Sequence, residues 1–423
     1  MNGPAEPDST RAPRPGGGWS AAVVTVADAL VVPATVPDMV QPAGVFDAAG
    51  AFVPEAVLWR GRPLMVEPPR PAPAAVLPGR WLWGGVLLNH FGHFLTETTG
   101  RLWALDAVAG ALDGIVFISK REAPGESGEV GMQDWHRRFF DLLGIALPVR
   151  ILTVPTRIGV LEVPGQGFGI GEIASGTEPF RAFFRARFAR GIAAEGPADL
   201  YVSRSGLAAL RGGVIGETRI EEALAAIGYH VFHPQKHPLE VQIAHYKAAR
   251  RIVALDGSAL HLLAMVGGPE QAVAVIKRRD SGASDSIVRH LASFTGRAPL
   301  VIDAIRRDWV RSDRRRADRH SVGEIDFAAL GRALAAGGFA PPDFAMVPLT
   351  EAEVAAAVAA IEAKLRRGGL TFRPVARGAA PGPDPAAPVN AAPAAAANAA
   401  PSRREQRLAR RAARAAARAT GQG

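Results

Sequence analysis

Cysteine is absent from all 423 residues. That excludes disulfides, thiolate zinc sites and a cysteine nucleophile. A bilayer-spanning apolar run is missing too: the first apolar stretch, 21–36, is interrupted by Asp28 and Pro33 and followed by Pro37, whereas a spanning helix needs roughly 20 continuous residues. The opening MNGPAEPDSTRAPRPGGGWS places Pro, Gly and acidic residues before any apolar segment, unlike a secretory signal. These features predict a soluble, cytoplasmic protein.

Hydrophobic residues make up 48% of the chain and charged residues 21%, the balance of a globular protein. Single cores stop growing near about 250–300 residues, so two domains are expected. The net charge of +9 invites a nucleic-acid reading until its location is considered. Residues 401–423 hold seven arginines and one glutamate, or +6, leaving +3 on the other 400. A nearly neutral body predicts no specific nucleic-acid partner.

Composition divides the chain further. Residues 1–19 read as a disordered leader, and 20–178 as an N-terminal α/β domain. Short β-rich runs such as AAVVTV open that domain; helical spacing over 89–109 and the strand-like DGIVFISK follow. Residues 179–198 read as a helix and interdomain link. From Asp199, DLYVSRS, YHVFHP, RIVALDG and AVAVIKR alternate with helical segments, predicting a Rossmann-like domain over 199–320. Helices are expected over 321–375, near 324–337 and 350–367. An Ala/Pro tether and an Ala/Arg basic tail fill 376–423. GQGFGIGEIASG, 165–176, lacks a following GK[ST], and reads as a mobile interdomain or acceptor-side loop.

Two blocks resemble the family-61 glycosyltransferases, often annotated in bacteria as capsular polysaccharide biosynthesis proteins. The first is NHFGHFLTETTGRLWAL, 89–105; the second runs from YVSRSGLAALR through GETRIEEALAAIGY to PLEVQIAHYKAARRIVALDGSALHLLAM, 201–265. Gly216 stands where the family usually has Asn, and Asp256 where many members carry His or Glu. The resemblance implies an α/β fold of two Rossmann-like domains facing a cleft (GT-B type), with the disordered leader and tail outside it. It further implies transfer with anomeric inversion from a nucleotide-sugar donor, UDP-linked and bound by the 199–320 domain, to a glycan or lipid-linked hydroxyl acceptor. No cofactor or structural metal is implied, and the sequence has no D-x-D motif.

Inverting transfer needs a base for the acceptor hydroxyl and positive charge for the departing diphosphate. His93, Glu97 and Arg101 recur one turn apart, with His90 at the helix start. Glu97 is the candidate base, with His93 orienting it or acting in its place; the bland alternative is a Glu97–Arg101 ion pair. For the donor, Arg204 and Arg211 follow a strand, where open sheets bind ligands. Pairing of Arg211, and less readily of Arg204, with Glu217 or Glu221 is the competing reading, and Glu217 is carried as a donor-side candidate. Gly257 and Ser258 open a helix whose free N–H groups suit an anion, although Ser258 simply capping that helix is the commoner explanation of such a pair. His261 lies one turn in. Asp256 fits ribose, sugar hydroxyls or an arginine better than phosphate. Histidines 230, 233 and 237 lack ligand spacing for zinc.

Two other functions remain open. One is a catalytically inactive glycan-binding or assembly protein on the same fold. The other is peripheral binding to the anionic inner face of the cell membrane, because Arg403, Arg407, Arg411, Arg414 and Arg418 recur at helical spacing.

Overall fold

β-Branched and aromatic runs punctuated by Pro and Gly build the first half. They form β1 (Val23–Val32), β2 (Gln41–Pro42), β3 (Gly44–Phe46), β4 (Met65–Val66) and β5 (Ala75–Leu87). Then come α1 (Phe91–Thr96), β6 (Gly114–Ser119), α2 (Asp134–Leu142), β7 (Val149–Leu152), β8 (Thr156–Pro164) and α3 (Glu178–Arg187). The computed structural model describes residues 18–120, 131–208, 211–365 and 370–377. Nearly all of the expected leader, and the basic tail beyond Arg377, lie outside the described residues. Residues 1–380 form one compact unit, and 381–423 fall in a second, undescribed one.

Six strands make the first sheet, in the order β3-β1-β8-β5-β6-β7. β8, β5, β6 and β7 are parallel neighbours, while β1 runs antiparallel to both β3 and β8. The expected parallel sheet is therefore mixed, because β1 and β3 are joined without the helical crossover that parallel pairing requires. β2 and β4 pair separately.

The second sheet is wholly parallel. β9 (Asp199–Val202), β11 (His230–Phe232), β12 (Arg251–Leu255), β13 (Ala272–Ile276) and β14 (Leu300–Ile302) stand in the order β11-β9-β12-β13-β14. Between them run α4 (Glu217–Ala226), α5 (Leu239–Ala248), α6 (Ala259–Val266) and α7 (Ala283–Thr295). Counted within this sheet the order is 2-1-3-4-5, a doubly wound arrangement whose direction switches between β9 and β12. The sequence pattern predicted four of these strands and missed β14.

A third, four-stranded sheet orders β10 (Gly213–Val214), β16 (Val322–Ile325), β15 (Ile305–Arg311) and β17 (Phe372–Ala376). The predicted helices appear as α8 (Phe327–Ala336) and α9 (Glu351–Lys364), but the region is not helical alone. β17 extends to Ala376 and pairs with Arg307, so the ordered chain continues into the first residue of the predicted tether.

One apolar cluster joins the two larger sheets. It includes Leu82 and Phe117 of the first sheet, Phe180 and Phe184 of α3, and Ile252 and Val275 of the second. α3 is thus a core element as well as a connection. The 165–176 segment is packed rather than loose: Gln166 and Phe168 are fully buried. Phe168 meets Phe180, His290 and Phe294 at 4.7, 4.5 and 5.4 Å between ring centroids.

Candidate functional site

The helix predicted over 89–109 breaks after one and a half turns. α1 gives way to a 3-10 segment, Thr98–Leu105, because threonines there bond to backbone carbonyls instead of leaving the α ladder undisturbed. Thr98 Oγ1 donates to Val86 O of β5 at 2.9 Å and accepts from Leu88 N at 3.0 Å. Thr99 Oγ1 donates to Leu95 O at 2.7 Å.

His93 and Glu97 still lie one turn apart. His93 Nδ1 meets Glu97 Oε2 at 2.7 Å, with the Glu97 side chain fully enclosed and that of His93 30% exposed. The cation on Glu97 is Arg60, which donates from Nε and Nη2 to its two carboxylate oxygens at 2.6 Å each. The Glu97–Arg101 pair considered from the sequence does not form. The break in the helix turns Arg101 inward, where its guanidinium donates to the carbonyls of Pro164 and Val57, and burial pushes it down to about 9. Gln166 locks the segment carrying Arg60, accepting from Trp59 N at 2.8 Å and donating to Trp59 O at 3.1 Å.

Burial pushes the Glu97 carboxyl upward, but hydrogen bonds from His93 and Arg60 outweigh it and hold the group below the usual carboxylate range. Glu97 is therefore ionised and fully engaged. A neutral His93 ring that donates Nδ1–H to this carboxylate would leave Nε2 as its lone-pair nitrogen. His90 sits 4.9 Å from His93 between ring centroids. It is pushed down to about 4 by loss of hydration on its crowded face and by the charges of His93, Arg211, Arg319 and Arg60.

The donor-side candidates lie at the switch point of the second sheet. Arg204 follows β9, and its Nη2 donates to the carbonyls of Arg211 and Gly212 at 2.9 and 3.4 Å. Glu217 is buried beneath this turn, accepting from Arg204 N at 2.6 Å and from the Tyr201 hydroxyl at 3.2 Å. Burial raises its carboxyl despite those bonds. Glu221 accepts from Ser203 and Ser205. Neither acid pairs with Arg211 among the described residues, and Arg211 is exposed. Gly216, at φ 72°, adopts the left-handed conformation that Asn also tolerates, so its departure from the family residue preserves the turn.

After β12, Asp256 is buried and pairs with Arg278 Nε at 2.7 Å. Of its predicted roles, arginine pairing is the one observed. A Cβ on Gly257 would approach Arg204 Nη1 to 2.5 Å; the glycine lets the guanidinium lie over the N-terminus of α6. Ser258 makes no side-chain cap bond. Its hydroxyl faces Gly92 of α1, where a Cβ would come within 2.5 Å. His261 is buried 3.0 Å from His290, Nδ1 to Nδ1. Burial, then the charges of His93 and His90, push it down to about 3.

The α1–α6 contact thus joins the two candidate groups. His90, His93, Glu97 and Arg60 lie on one side, and Gly257, Ser258 and His261 on the other, with Arg204 over Gly257. Arg60, Arg278, Arg279 and Arg319 were not singled out from the sequence. The run KRR after β13 was a visible signal for two of them, whereas Arg60 had none. Gln242 is buried and donates to Pro234 O and His237 O at 2.9 and 3.0 Å, shaping the turn before α5. Glu240 pairs with Arg138.

Residues 91–273 match the family model described as Glycosyltransferase 61. The chain carries a family-61 glycosyltransferase segment. The match spans α1, the whole switch point and β13 up to Val273, and the family implies a nucleotide-sugar donor and a glycan acceptor. No curated protein matches the chain. Among the described residues no helix is long and apolar enough to cross a membrane.

Proposed function

We propose that this family-61 chain is an inverting, metal-independent transferase working as a two-domain GT-B enzyme. Its 20–178 half would present the acceptor and its 199–320 half would hold a UDP-linked sugar. The observation that carries this reading is the meeting of the His93–Glu97–Arg60 group with the β9/β12 switch point across α1 and α6.

His93 is the base in this scheme and Glu97 its positioning carboxylate, because Glu97 is enclosed and engaged by three N–H donors while His93 retains an open nitrogen. His93 Nε2 takes the acceptor hydroxyl proton as the oxygen bonds to the anomeric carbon. The bond from that carbon to the phosphate oxygen breaks, and its electron pair leaves with the nucleoside diphosphate. Arg204, Arg211 and the α6 N–H groups near Gly257 and Ser258 receive this negative charge. The family resemblance supports a surface-glycan acceptor, and the basic tail, outside the described residues, would hold the enzyme at an anionic membrane.

Transfer assays across UDP-, GDP- and CMP-sugars in EDTA test the scheme. Wild type is expected to turn over, and His93→Gln to lose roughly 10²–10⁴ of its rate with unchanged nucleoside diphosphate affinity. Full activity of His93→Gln, or abolition by EDTA with rescue by manganese, would refute it.

A further inference from the structure

Arg278 lies just past β13, beyond residue 273 where the family match ends. Its side chain is 8% exposed, and Nε is committed to Asp256, donating to the backbone carbonyl at 3.0 Å and facing the carboxylate at 2.7 Å. Nη1 is buried with no partner among the described residues, and so is Arg204 Nε.

The two guanidiniums converge on one loop. Arg204 Nη2 bonds the carbonyls of Arg211 and Gly212, and Arg278 Nη1 abuts the open side of Gly212. Burial first, then the charge of Arg278, push the Arg204 guanidinium down to about 10. Arg279 adds a third charge nearby, its Nε and Nη1 bound to Ser281 Oγ and Asp318 O at 3.0 Å each. A buried guanidinium, Arg278, beside a half-buried one, Arg204, each with an enclosed N–H donor left unpartnered among the described residues, is costly unless an anion completes them. They stand beside the carboxyl ends of β9, β12 and β13, where a doubly wound sheet takes its ligand.

We infer that Arg204 and Arg278 form a two-guanidinium clamp for the diphosphate of the donor. The inference rests on the transferase reading above. Asp256 then acts as a positioning residue, holding Arg278 by Nε so that Nη1 faces the anion. This accounts for a carboxylate next to a phosphate site without placing it on the phosphate.

Calorimetry of the full chain with UDP, inorganic pyrophosphate and orthophosphate tests the clamp. Wild type should bind pyrophosphate more tightly than orthophosphate, because two forks span two phosphoryl groups. Arg278→Lys keeps the charge opposite Asp256 but removes the fork. It should weaken pyrophosphate by about tenfold or more while changing orthophosphate little and Tm by a few degrees at most. Arg204→Lys, whose residue holds no ion pair among those described, should erase the same preference and serves if the 278 variant melts early. Wild-type pyrophosphate affinity in both variants, or an equal loss for both anions, would overturn the clamp while leaving the transferase reading intact. Failure of wild type to bind UDP or pyrophosphate would overturn both.

Discussion

Glu97 shows how an enclosed carboxylate is assigned a role by its neighbours. Three N–H donors from Arg60 and His93 occupy it, so it holds a proton poorly and an imidazole well. Residues acting as one unit are strongly non-additive when removed. Glu97→Gln should lower kcat by roughly 10²–10⁴, as expected when an orienting carboxylate becomes an amide, with little change in nucleoside diphosphate affinity. The Glu97→Gln/His93→Gln double variant should be no slower than His93→Gln alone. Multiplicative losses, or parallel loss of nucleotide binding, would make Glu97 a structural ion-pair partner. The His93–Glu97 pair was legible because a helical turn brings positions i and i+4 together. Arg60 was not, since 37 residues and two strands separate it from Glu97.

At the scale of elements, the decisive feature is how closely α1 approaches α6. A Cβ on Gly92 would lie 2.5 Å from Ser258 Oγ and 3.1 Å from Ser258 Cβ, and a serine is too short to swing clear. Gly92→Ala should push the helices apart, costing about 1–3 kcal/mol from overpacking and displacing His93 from the donor side, so that kcat falls more than nucleotide affinity. Adding Ser258→Gly should restore part of both losses. Thermal melts and kinetics of the four-member cycle read this; wild-type values for Gly92→Ala would mean the contact is loose. The periodicity of 89–109 correctly marked a helical segment, but Thr98 ended it early through bonds to Val86 O of β5 and Leu88 N that depend on the assembled fold, with the local Thr99–Leu95 bond beside them.

Across the whole molecule, three histidines are buried as neutral rings. Burial pushes His136 down to about 4 and His261 to about 3, and His290 well below its ordinary value. The unfolded imidazole titrates near about 6.5, so as pH falls the unfolded chain takes up protons first. Stability is complete above that value and declines as pH drops toward the folded values. The His261–His290 contact sharpens this, because one ring must donate Nδ1–H and the other must accept it. Tm should fall between pH 6.5 and 5, before most carboxylates protonate, and His290→Leu should flatten that slope. A constant Tm from pH 7 to 5 would show that these rings are not held neutral.

By itself the sequence determined the strand–helix alternation after Asp199, because a period of two giving way to 3.6 is a local property of the chain. It also determined the placement of Arg204, Gly257 and Ser258 at strand ends, and the family resemblance that the match over 91–273 bears out. Only the tertiary structure decided the antiparallel entry of β1, the third sheet closed by β17, and the inward turn of Arg101. It alone brought Arg60 to Glu97 and Arg278 to Asp256. The reason is physical: strand order, and the partners of charges far apart in sequence, are set by which surfaces bury one another, and no local pattern encodes that choice.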